Sequence, residues 1–125
     1  MSFTFENLNV YKKAVGFVRR IEILNKSLKG KVSYSILDQM TRAAISIPLN
    51  IAEGNGRWHK NDKKRFFWIA RGSVFEIVPI IQVIFESDNI TGADHRELYN
   101  ELDVMAKMLT ALIKAVGGFS QEPSN

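Results

Sequence analysis

Apolar residues recur along the chain at steps of three and four in four stretches, and no stretch alternates apolar and polar residues as a half-buried strand would. In the first stretch Leu8, Tyr11, Val15, Val18, Ile21, Leu24 and Leu28 form the apolar stripe. Asn7 is the expected N-cap, after a short lead-in in which Phe3 and Phe5 are available to pack. Lys29-Gly30-Lys31 should end the helix near Leu28, through a glycine stop and late positive charge. Gly16 within it is either a local weakness or a point of close helix approach.

The second stretch predicts a helix from Ser33 or Ser35 to Glu53, with Pro48 inside it. Proline removes a backbone donor and crowds the preceding turn, so a kink is expected there, or two shorter helices breaking at Ile47. Gly54-Asn55-Gly56 should end it, because both residue types tolerate left-handed backbone. The third helix, about 62–87, is capped by Asn61 or Asp62 and is apolar nearly all round. Its length suggests a membrane span, but Arg71 and Glu76 sit mid-helix, where charge is expensive in lipid. It is read as a helix covered on several sides, kinked at Pro79. A bundle this small cannot cover it completely. Trp68 and Phe75 fall away from Ile69, Ile77 and Ile84 and mark an interface between copies of the chain. Thr91 and Asp94 make a capping-box-like start for the fourth helix, 92–116, which Gly117-Gly118 stops. The fold expected is all-α: an antiparallel up-down-up-down four-helix bundle, residues 1–118, followed by a flexible tail, 119–125.

One stretch departs from simple amphipathicity. Between Gln39 and Gly54 the polar residues Gln39, Arg42, Ser46, Asn50 and Glu53 recur at helical spacing inside an apolar run. Ile45 and Leu49 return beyond the polar stripe, so both of its borders are apolar. Polar groups that become covered must be paired. Ser73 and Glu76, also three apart, are the candidate partners on the third helix. The expected structural polar seam has Arg42 pairing with Glu76 or Glu53, and Asn50 bridging to backbone or to Ser73. On a solvated face the same residues would need no explanation.

Charge changes the picture at one place. The net charge of +4 divides into 13 Lys+Arg against 5 Asp+Glu in residues 1–65, and 4 against 8 in residues 66–125. The densest basic run, Arg57-Trp58-His59-Lys60-Asn61-Asp62-Lys63-Lys64-Arg65, interleaves cations with an aromatic, the composition that grips phosphates and stacks bases. Lys12, Lys13, Arg19, Arg20, Arg57, Lys60, Lys63, Lys64 and Arg65 are the candidate nucleic-acid contacts. A solvated loop has the same composition. There is no cysteine and no basic-then-apolar leader at the N-terminus, which fits a cytoplasmic protein.

Catalytic signals are thin. His59 and His95 lie in separate loop-proximal sites with no second histidine at i+3 or i+4, and the Glu-x-x-His pairs of di-metal bundles are absent. Gly54-x-Gly56 lacks the Lys-Ser/Thr of a phosphate loop, and Gly72-Ser73 lacks a nucleophile-elbow context. With no nucleophile–base pair, the chain is read as a non-enzyme without cofactor or metal.

The run Gln39-x-x-Arg42-Ala43-Ala44-x-Ser46-Ile47-x-x-Asn50-Ile51-Ala52-Glu53-Gly54, followed by Phe66, Ala70-x-Gly72-Ser73 and Glu76, resembles the four-helix-bundle family encoded in intervening sequences of bacterial 23S ribosomal RNA genes. The opening Phe5-x-x-Leu8-x-Val10-Tyr11-Lys12-x-Ala14 is similar to that family's start, so the resemblance covers residues 5–116. Arg71 departs from it, where a small or apolar residue is expected. The resemblance implies a left-handed bundle that assembles as a homopentamer. It also implies likeness to the accessory proteins of diversity-generating retroelements, basic pentamers that bind nucleic acid and a reverse transcriptase. It brings no catalytic residue. Two functions stay open: an RNA- or DNA-associated accessory protein that holds phosphates without base readout, and a protein–protein scaffold whose basic half only confers solubility. Neither involves a membrane.

Overall fold

The structure, a computed structural model, describes residues 3–117. Among these residues are a short 3-10 turn, Thr4–Asn7, four α-helices and no strand. The helices are α1 (Asn9–Leu28), α2 (Tyr34–Asn55), α3 (Lys60–Glu86) and α4 (Gly92–Gly117). The expected tail, 119–125, lies outside the described residues.

The helix starts follow different rules. Ser33 caps α2 by accepting from the Ile36 N–H at 3.4 Å, and Thr91 accepts from the Asp94 N–H at 3.0 Å at the head of α4. The first helix corrects the sequence expectation. Asn7 closes the 3-10 turn, and α1 begins after Leu8 with no side-chain cap. Packing takes the place of the cap: Leu8 lies against the core, while Phe5 meets Tyr11 edge-on with ring centres 4.9 Å apart. His59, rather than Asn61 or Asp62, occupies the N-cap position of α3, again without a side-chain bond.

The helix ends also divide. Gly30, at φ +84°, takes the left-handed backbone that ends α1. Gly56 does not: α2 closes in right-handed geometry at φ −81°. Its last carbonyls are served by Lys63 instead, whose Nζ donates to Asn55 O at 2.9 Å and Gly54 O at 3.5 Å. Both prolines lie inside continuous helices, so α2 is one helix rather than two.

The core draws on all four helices and, among the described residues, contains no charged side chain. In α3 the buried residues are Phe67, Ala70, Val74, Ile77, Ile81 and Ile84, and in α2 they include Leu37, Met40, Ala44, Ile47, Ile51 and Gly54. Both sets alternate three- and four-residue steps, the heptad spacing of a helix–helix seam. Helix α3, long and apolar enough to cross a membrane by length and composition, thus puts one stripe into this core. Of its remaining apolar residues, Ile69, Phe75 and Val83 are about half exposed.

Candidate nucleic-acid interface

The polar residues of α2 separate into three groups. At the centre, Ser46, Asn50 and Ser73 form a half-buried cluster between α2 and α3. Ser73 Oγ bonds Ser46 Oγ at 2.8 Å, and Asn50 Nδ2 donates to Ser46 O and Oγ at 2.8 and 2.9 Å. The charged residues do not join it. Arg42 donates to Asp38 at 2.8 Å, one turn back on its own helix, and that bond holds its pKa above the ordinary value. Glu53 accepts from Arg57 at 3.1 Å. Glu76 is exposed and, among the described residues, has no salt bridge. Gln39 is exposed as well. The expected pairing of Arg42 with Glu76 or Glu53 is therefore replaced by i,i+4 pairs within α2 and its C-terminal extension.

The glycine that closes this stretch has a steric role. A Cβ on Gly54 would stand 2.6 Å from Cε1 of Phe67 and 3.1 Å from Cβ of Phe66. Phe67 is buried, so its ring has no free direction in which to yield. Gly54 lets the start of α3 close on the end of α2. Gly16, by contrast, has nothing within 4 Å of such a Cβ, which removes close helix approach as its explanation.

The candidate cations likewise divide by what already holds them. Arg20 Nη1 bonds Glu97 at 2.6 Å and Glu101 at 3.2 Å across to α4. The hydrogen bond to Glu97 raises the Arg20 pKa and, in turn, lowers that of Glu97. Lys63 is committed to the α2 carbonyls. Arg57 and Arg65 place their guanidinium carbons 4.6 and 5.2 Å from the centre of the Phe66 ring, and Arg65 lies 3.9 Å from Asp62. Among the described residues Lys12, Lys13, Arg19, Lys60 and Lys64 form no salt bridge. Arg20 and Lys63 thus tie helices together, and the candidate cations without an internal partner among the described residues are fewer than the composition suggests. Trp58 stands among them, 90% exposed. Local contacts gather this region: Asn55 donates to Thr4 Oγ1 at 2.7 Å, and the Lys64 side chain reaches Gly117.

The two proposed interface aromatics differ. Phe75 is 52% exposed, whereas Trp68 is half-buried. The Arg71 guanidinium lies 4.4 Å from the Phe75 ring centre and 5.3 Å from that of Trp68, and its Nε donates to Thr110 at 3.1 Å. Arg71, out of place by resemblance, is thus seated between aromatics on the side of α3 that faces α4. His59 and His95 stay apart, His95 stacking on Phe85 at 4.6 Å. Sequence reasoning missed the clasp in which Asn25 Nδ2 donates to Leu37 O and Thr41 Oγ1. No local spacing announces it.

Fold and surface together define a small all-helical protein of four helices, with an exposed basic connection between the second and third. Residues 6–111 match the profile of the 23S rRNA-intervening sequence protein family, and the chain belongs to that family. Among solved structures it is similar to a protein of unknown function from the S23 ribosomal protein family of Bacteroides thetaiotaomicron. That match has a TM-score of 0.79 at 24% identity and covers 84% of this chain and 98% of the other. At that identity it shows the shared fold. A search of curated proteins gave no match.

Proposed function

We propose that the chain is a non-enzymatic, homo-oligomeric accessory protein of the cytoplasm that binds RNA or DNA through phosphate contacts. The observation that carries this is the set of cations left without an internal salt bridge among the described residues: Lys12, Lys13, Arg19, Lys60 and Lys64. Arg57 and Arg65 add positive charge beside them. Cations of this kind bind the backbone without reading sequence, and the binding weakens as salt rises.

The helices run up-down-up-down. Support comes from contacts at two levels of a helix pair, in which a step back along one helix meets a step forward along the next: Gly54 with Phe67 and Ser46 with Ser73 between α2 and α3, and Phe85 with His95 and Arg71 with Thr110 between α3 and α4. The three–four alternation of buried residues in α3, shared by α2 apart from the additional Ala43, favours a left-handed twist. Self-association, as a homopentamer, is supported by two unlike exposed apolar surfaces. One lies along α1 and α2, with Val15, Ile45, Pro48 and Leu49. The other lies along α3 and α4, with Phe75, Pro79 and Tyr99. A closed ring requires two different patches meeting head to tail. A reverse transcriptase or another protein is a further partner by family resemblance.

Titrating salt against binding of generic RNA and DNA tests the nucleic-acid role, with light scattering on the same sample giving the mass. Binding that falls steeply with salt is expected. Absence of binding at low salt, or binding indifferent to salt, leaves the protein–protein scaffold as the function.

A further inference from the structure

Among the described residues Trp58 has the largest exposed fraction of the big apolar side chains, 90%, and lies in the connection between α2 and α3 rather than on a helix face. Trp68, by contrast, is half-buried beside Arg71. An indole left in water forgoes the burial that usually stabilises tryptophan, so its position calls for a reason outside the core. Its neighbours supply one. On one side Arg57 is fixed by its bond to Glu53 and its seat over Phe66. On the other, Lys60 begins α3, and Lys64 follows one turn later on the same side of the helix. Neither lysine has a salt bridge among the described residues. Along the chain an exposed flat ring thus lies between an anchored cation and two without salt bridges among the described residues.

We infer that this connection selects single-stranded over double-stranded nucleic acid, with Trp58 stacking on an unpaired base while Lys60 and Lys64 contact the adjoining phosphates. The inference rests on the nucleic-acid reading above and adds the form of the ligand. In a duplex each base face is covered by the next base pair, so an indole in an exposed loop has nothing to stack on. In a single strand the faces are open, and stacking on an aromatic side chain is indifferent to base identity.

The test uses the full chain with dye-labelled oligouridine and a duplex of equal length, at low salt, reading anisotropy together with tryptophan emission. Wild type should bind the single strand more tightly, with part of its tryptophan emission quenched. Trp58→Ala should weaken single-strand binding by about 5- to 150-fold, the range for loss of one base stack. It should also abolish the quench, leave duplex binding and the oligomeric mass unchanged, and keep the salt slope. Trp58→Phe should restore part of the loss. Equal affinity for the two probes, equal weakening of both by Trp58→Ala, or a changed mass in that variant would overturn the inference while salt-dependent binding stands. If neither probe binds at low salt, the nucleic-acid function itself fails.

Discussion

The contact between α2 and α3 and the connection that joins them are neighbours in sequence but opposites in physics. In the contact every feature is answered from within: Gly54 makes room for Phe67, and Ser46 is bonded by both Asn50 and Ser73. In the connection Trp58 stands in solvent, and at the start of α3 that follows it Lys60 and Lys64 are left without internal salt bridges among the described residues. The difference teaches where to look for function when the sequence carries no legible catalytic motif. Polar residues in helical register drew attention first, yet those that meet are spent on packing two helices together. Groups with unspent capacity lie just beyond them.

Perturbing the contact should cost stability. The largest effect is expected from Gly54→Ala, which forces a Cβ against a buried ring and should destabilise by about 1–3 kcal/mol. Gly16→Ala should act in the opposite direction, stabilising by about 0.5–1 kcal/mol, because its site is open and helical. Urea denaturation of both variants checks the pair, and equal signs would break the distinction. Ser46→Ala removes the shared acceptor of the cluster and should cost about 1 kcal/mol in the same assay.

Smaller effects sharpen the boundary of the contact. Glu76→Gln should stay within about 0.5 kcal/mol of wild type, as befits an exposed side chain with no salt bridge among the described residues. A marked fall in melting temperature would return Glu76 to a buried seam. The smallest effect concerns pH. Arg20 lowers the pKa of Glu97 in the folded chain. The stability this adds is present above the unfolded carboxylate value and is lost as pH falls through the lower folded value. The small melting-temperature gap between wild type and Glu97→Gln should therefore exist at neutral pH and close on acidification. Both groups are accessible to solvent, which keeps the gap small.

Helix number and approximate spans were legible in the sequence because periodicity and end signals are local. Ser33, Gly30 and Thr91 each do what their residue types suggest. Asn7 does not, because Leu8 and Phe5 hold the start of α1 by packing. Long-range pairing was legible only in part. The stripe from Gln39 to Glu53 placed Ser73 opposite the polar residues of α2 but expected Asn50 to reach it or backbone. Ser46 reaches Ser73 instead, Asn50 bonds the Ser46 backbone, and the stripe could not fix the charged partners. Arg42 had Asp38 and Glu53 had Arg57 at i,i+4, short reaches that need no second helix. The rotation of α3 that leaves Glu76 outside is set by the packing of Phe67 through Ile84, a property of the whole core. The same holds for the cations. Composition counts Arg20 and Lys63 with the rest, and only tertiary contact reveals that Glu97, Glu101 and the end of α2 have claimed them.

The central claim, that binding resides in the cations without an internal salt bridge rather than in the basic composition as a whole, is tested most directly by the slope of log affinity against log salt for single-stranded RNA. The double variant Lys60→Ala/Lys64→Ala should lower the magnitude of that slope by about 1.4, two phosphate contacts' worth. Arg20→Ala, which removes a cation already held by Glu97 and Glu101, should leave the slope unchanged. Equal loss in the two proteins, or no change in the double variant, would contradict the account.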